Sequence, residues 1–137
     1  MPRNRKAGST ALRKLLGGRV ESANDDVNLI SSQLRARLLA NGARTANDED
    51  HDPYPVVRLF VVDGPASWLL TELDPDDPDL AYGLCDLGLG TPTLDYVRLS
   101  DLASVAGDQI RCDIDFAARQ PLSIYLREAR DAGAIQP

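Results

Sequence analysis

Between Pro55 and Arg98 the chain carries four apolar, β-branched runs that stand too close together for any crossover connection. They are Pro55–Val62 (PVVRLFVV), Ser67–Leu73 (SWLLTEL), Leu80–Leu87 (LAYGLCDL) and Thr93–Arg98, separated by four, six and five residues. A parallel pair needs a crossover of roughly a dozen residues or more, so these strands are expected to pair antiparallel. The first run is apolar on both faces apart from Arg58 and reads as a central strand. Gly64-Pro65 turns the chain after it, and the two prolines of DPDDPD (74–79) are expected to exclude regular structure there.

Helical periodicity flanks the strands. Val27, Ile30, Leu34 and Leu38 form one stripe, which predicts a helix from Val27 to Asn41, capped by Asp25 or Asp26 and stopped by Asn41-Gly42. A short helix from Ser100 to Val105 is expected to be capped by the Ser100 hydroxyl. In Ile110–Phe116, Ile110, Cys112, Ile114 and Phe116 alternate with Arg111, Asp113 and Asp115, which predicts a strand with one wet face. Leu122–Asp131 reads as a helix, started by Pro121, ended by Gly133, with Leu122, Tyr125, Leu126 and Ala129 on one face. Strands clustered between helices give an α+β fold. The expectation is a four- or five-stranded, mainly antiparallel sheet with helices packed on one face.

At 137 residues the chain matches one domain of roughly 150. Residues 25–137 are assigned to it, and residues 1–24 to a flexible basic arm with a transient helix at Ser9–Leu16. No run approaches the ~18 apolar residues of a membrane span, and no apolar stretch follows the basic start, so neither a span nor a secretory signal is expected. Two cysteines cannot build a disulfide framework. A cytoplasmic protein is expected.

The net charge of −6 hides an asymmetry. Arg3, Arg5, Lys6, Arg13, Lys14 and Arg19 give residues 1–20 a charge of +6, and the remainder carries −12. Residues 59–97 hold eight acids and no base. An acidic body attracts basic partners, and a basic arm can contact phosphates.

Every catalytic or metal-binding pattern tested is incomplete. An EF-hand read from Asp74 would need Gly and Glu where Asp79 and Cys85 stand. Zinc is not expected from Cys85, Cys112 and His51 without a CxxC pair, and both cysteines read as small core hydrophobes. His51, the one histidine, lies in DEDHD and reads as exposed and inert. Gly88–Gly90 lacks the third glycine of a dinucleotide fingerprint and reads as a turn. The remaining pair is Glu72 and Asp86, which could approach across a hairpin and do acid–base work or hold Mg²⁺. No catalytic residue, metal or cofactor is assigned.

VVRLF (56–60), WLLTELDPDDPD (68–79), YGLCDLGLGTPTLDYVRLSDL (82–102), RCDIDF (111–116) and PLSIYLREARDAGAI (121–135) resemble domain-of-unknown-function family 2958. QLRARLLANG (33–42) is similar to its leading helix, and the likeness covers about residues 27–135. The resemblance implies a bacterial protein carried on plasmids, integrative elements and phages, near conjugation and DNA-handling genes. The family's polar signature positions fall on Glu72, Asp74, Asp86 and Asp113, and Asp115 stands where the family usually has a histidine.

Together these readings give a small acidic, non-enzymatic interaction protein of a mobile genetic element. It is expected to inhibit a host nucleic-acid-targeting defence system, as an anti-CRISPR or anti-restriction protein, by binding a basic surface of a nuclease or CRISPR effector. Carboxylates can replace phosphate oxygens as acceptors for Arg and Lys. The partner-binding residues would be Asp74, Asp76, Asp77 and Asp79, backed by Glu72 and Asp86. Two alternatives are a nucleic-acid accessory protein using the basic arm and a carboxylate or Mg²⁺-dependent enzyme built on Glu72 and Asp86. A monomer is expected, or a homodimer if Trp68 or Leu70 lies on an uncovered sheet face.

Overall fold

A computed structural model describes residues 29–106 and 109–137 of the chain. The elements are α1 (Ser32–Asn47), β1 (Val57–Val61), β2 (Ser67–Asp74), β3 (Asp77–Asp86), β4 (Thr93–Arg98), α2 (Leu99–Ala106), β5 (Ile110–Cys112) and α3 (Leu122–Ala132). The strands form one five-stranded sheet in the order β4-β3-β2-β1-β5, with every pairing antiparallel. The α+β expectation therefore holds. The basic arm, the helix expected at Ser9–Leu16 and the caps at Asp25 or Asp26 lie outside the described residues.

The central strand is β2, with β1 one place towards the β5 edge. All eight residues of β2 are buried, and successive side chains point to opposite faces. Trp68, Leu70 and Leu73 join Val57, Leu59, Ala81 and Val97 in a core closed by Leu38 of α1 and by Leu99 and Leu102 of α2. Leu69 and Leu84 join a second core with Leu122, Tyr125 and Ala129 of α3 and with Ile135. Helices thus cover both faces, not one. The cause is local: W-L-L in β2 is apolar in both phases, so each face needs its own cover.

Several element boundaries depart from the sequence expectation, some for a local reason and some for a tertiary one. Helix α1 begins later, with Ser31 Oγ accepting from Leu34 N at 3.3 Å, and it runs through Gly42. Gly42 is buried because α1 rests on the β2 backbone there; a Cβ would lie 1.9 Å from the Leu73 carbonyl oxygen. The prolines of DPDDPD do not break the hairpin. Only Pro75 and Asp76 form the turn, and Pro78 belongs to β3. It stands beside a register shift, where Leu73 pairs with Ala81 but Asp74 with Asp77, so no ladder bond is asked of its missing N–H.

The cap of α2 is supplied by Asp79 and not by Ser100. Asp79 Oδ1 accepts from Ser100 N at 3.0 Å and Oδ2 from the Ser100 hydroxyl at 2.6 Å. Strand β5 stops at Cys112 because the Asp113 carboxylate accepts from Asp115 N at 3.0 Å and bends the chain. Ile114 is consequently 91% exposed, and Phe116 packs with the α3 core while Cys112 packs with the other. Helix α3 and its left-handed stop at Gly133 (φ 78°) match the expectation. No helix among the described residues is long and apolar enough to cross a membrane.

Candidate functional site

The acids expected to bind a partner are mostly engaged within the fold. Glu72, 6% exposed, accepts from the Thr45 hydroxyl at 2.9 Å. Asp74 is buried, and its Oδ1 accepts from Asp76 N at 2.9 Å, which stiffens the hairpin turn. Asp77 pairs with Arg98 at 2.8 Å, and Asp79 approaches the same guanidinium at 3.7 Å while capping α2. The hydrogen bond to Asp77 raises the Arg98 pKa against its slight burial, with the charges of Asp77, Asp79 and Asp101 adding to the effect. Asp86 accepts from Gly88 N at 2.8 Å and from Ile135 N at 3.0 Å, so it pins the segment after α3. Asp76 alone of the six is exposed, at the tip of the turn.

The structure gathers Asp74, Asp76, Asp77 and Asp79 at one end of the β2–β3 hairpin and separates the two other acids. Glu72 pairs with Tyr82, whereas Asp86 pairs with Ser67, five positions back along β2. At roughly 3.3 Å per residue this is about 17 Å, so Glu72 and Asp86 form no carboxylate pair. Among the described residues no group of three or more His, Cys, Asp or Glu side chains is placed to hold a metal ion. Trp68 and Leu70, which would mark a self-association face if uncovered, are buried. Burial pushes the Cys85 thiol far above its ordinary value, with the Asp95 charge adding to it, and burial also raises Cys112. Gly88 and Gly90 both have positive φ (81° and 82°), the turn requirement expected of them.

The acidic loop after α1 stands out in the sequence only as the surroundings of His51. Asp48, Glu49, Asp50 and Asp52 are all exposed. Asp48 N donates to Thr45 O at 3.3 Å, Asp50 N to Asp48 Oδ1 at 3.1 Å and His51 N to Asp48 O at 3.1 Å. Asp52 accepts from Ser123 N at 3.1 Å and from the Ser123 hydroxyl, so this loop caps α3 from a distance. His51 is half-buried, with Nδ1 3.0 Å from Thr45 Oγ1, and is not the free solvent group expected. The run DEDHD was visible as a signal, but the partners that order it come from residues 45 and 123. The loop and the hairpin turn flank the same stretch of α1, because Thr45 meets Glu72 and Gly42 meets Leu73 and Pro75.

No curated protein and no solved structure matches the chain. The family model described as "Protein of unknown function (DUF2958)" matches residues 29–136, and the chain belongs to that family.

Proposed function

We propose that the protein is a non-enzymatic interaction protein of a mobile genetic element. It binds a basic surface of a host nuclease or CRISPR effector and blocks its access to nucleic acid, as an anti-CRISPR or anti-restriction protein. The observation that carries the reading is the preordered acidic turn. Asp76 is held at its tip by the Asp74 carboxylate, and Asp77 and Asp79, each with a side chain 38% exposed, are fixed by Arg98 and Ser100. Carboxylates fixed before contact spare the complex the entropy of ordering them. Charge complementarity then sets the rate of encounter and makes it sensitive to salt.

The internal duties of Asp77 and Asp79 decide which substitution is informative. Reversing either one would also remove an ion pair or the α2 cap, whereas Asp76→Lys changes charge without a core contact. The test is affinity capture from host lysate by wild type and by Asp76→Lys, at low and high salt, with mass-spectrometric identification. Wild type is expected to retain a basic nuclease or effector at low salt and to lose it at high salt, and Asp76→Lys to retain several-fold less. Equal capture by the two proteins would contradict the reading. Capture of nucleic acid alone would shift the function to Arg3, Arg5, Lys6, Arg13, Lys14 and Arg19.

A further inference from the structure

A cavity of about 280 Å³ opens beside α1, lined by Arg37, Ala40, Asn41, Pro53, Tyr54 and Val56. Its walls are anchored to two other elements. Asn41 Nδ2 donates to Thr71 O at 2.9 Å, which ties the helix wall to β2. Val56 N donates to Leu70 O at 2.8 Å, and Pro53 O accepts from Leu122 N at 3.0 Å, which ties the 53–56 wall to β2 and α3. Ala40, Pro53 and Val56 supply apolar surface, and Tyr54 adds a residue that is 53% exposed. The Arg37 guanidinium differs from these groups. It makes no hydrogen bond or ion pair among the described residues.

We propose that this cavity binds a small anion built on a single flat ring, with the ring against Tyr54 and its carboxylate or phosphate on Arg37. Volume limits the ligand: the cavity falls just below the roughly 300–1,000 Å³ of pockets for drug-sized molecules, which leaves room for one ring and a charged substituent. Charge sets its sign. Arg37 is the one charged residue of the lining, and α1 carries Arg35, Arg37 and Arg44 with no acid across its 16 residues, in a folded part that is acidic as a whole. Asp52, next to Pro53, is committed to α3, where it accepts from Ser123 N at 3.1 Å. A guanidinium offers parallel N–H donors that match a carboxylate or a phosphate. A tyrosine ring accepts another ring offset-stacked or edge-on. A long polyanion suits the place less, because Asp48, Glu49 and Asp50 are exposed just after the same helix and repel it. Walls held before contact spare the complex the entropy of ordering them. The proposal uses none of the hairpin acids and stands whether or not the acidic turn binds a partner.

The test is titration of the nitrogen-labelled full chain, read in backbone amide spectra. The probes are phenylacetate and phenyl phosphate, with benzyl alcohol as a ring without charge, inorganic phosphate as a charge without a ring, and an oligothymidylate as a polyanion. The ring-bearing anions are expected to move the amides of Ala40, Asn41 and Tyr54 saturably. Binding of only one of them would support the site and name its charged group. Arg37 is exposed, and glutamine is a comparable helix former, so Arg37→Gln keeps the fold. It is expected to weaken the anions about tenfold, the scale of a lost charge-assisted hydrogen bond, and to leave benzyl alcohol unchanged. Three results would overturn the site: no saturable shift at these amides from either anion, equal affinity of wild type and Arg37→Gln for them, or benzyl alcohol or inorganic phosphate bound as tightly as they are. Oligothymidylate bound more tightly than phenyl phosphate, and lost in Arg37→Gln, would overturn the small-ligand assignment in favour of single-stranded nucleic acid.

Discussion

Gly42 shows how one residue serves two levels of structure. Within α1 it is a poor helix former, and alanine in its place should gain up to about 1 kcal/mol of helix propensity. Against β2 it is required, because a Cβ would stand 1.9 Å from the Leu73 carbonyl oxygen and 3.2 Å from Pro75 Cδ. The obstacle is backbone, which cannot rotate away, and overpacking of this kind typically costs about 1–3 kcal/mol or more. The clash should win, so Gly42→Ala is expected to lower the urea midpoint; a midpoint equal to or above wild type would contradict the close approach. The acids of the hairpin divide in the same way. Asp79→Ala removes the cap of α2 and should cost about 0.5–2 kcal/mol. Asp76→Ala, at an exposed tip, should stay within about 0.5 kcal/mol of wild type. Equal losses in denaturant titrations would show that the two carboxylates do not have the separate duties described. Composition and spacing single out all six acids as alike; only contacts from residues 45, 98, 100 and 135 tell them apart.

At the scale of elements, legibility in the sequence follows the range of the interactions that define each one. Strand β4 and helix α3 are readable because their signals are local: the Gly- and Pro-bearing loop 88–92 before Thr93–Arg98 with a helix start after it, and Pro121 and Gly133 around a 3.6-residue stripe. The end of β5 is hidden in the alternation of Ile110–Phe116, which continues through a bend made by the Asp113 side chain. Cover on both sheet faces was also legible in principle, since W-L-L in β2 has no wet phase. Edge strand β4 yields a prediction of its own. Burial lifts the Asp95 carboxyl above its ordinary 3.8, against the opposing hydrogen bond from Tyr96 N. A raised value in the fold means that folding favours the protonated acid. This contribution is fully present below 3.8 and is lost as pH rises through the lifted value. Asp95→Asn keeps an acceptor for Tyr96 N without the charge. It should melt higher than wild type at neutral pH, with the difference shrinking as the pH falls below the carboxylate range. A gap that widens in acid would reverse the sign assigned to Asp95.

For the molecule as a whole, two cores on one sheet leave the charged groups at its margins. The β2–β3 hairpin carries Asp74, Asp76, Asp77 and Asp79 around Arg98, and the loop from Asp48 to Asp52 carries four exposed carboxylates and joins α1 to α3. The described residues hold 17 acidic and 9 basic groups, so the folded part faces any partner with a strong negative field. That field was legible in the sequence, as residues 59–97 with eight acids and no base. The loop around His51 was not, because its order depends on Thr45 and Ser123. The central claim is that the acidic turn binds a basic protein surface. The most direct measurement is salt-dependent capture from host lysate by wild type and by Asp76→Lys, with Asp76→Ala as a control for folding. The account predicts a basic nuclease or effector retained by wild type at low salt, released at high salt, and retained several-fold less by Asp76→Lys. Capture that ignores both salt and the charge reversal would contradict it.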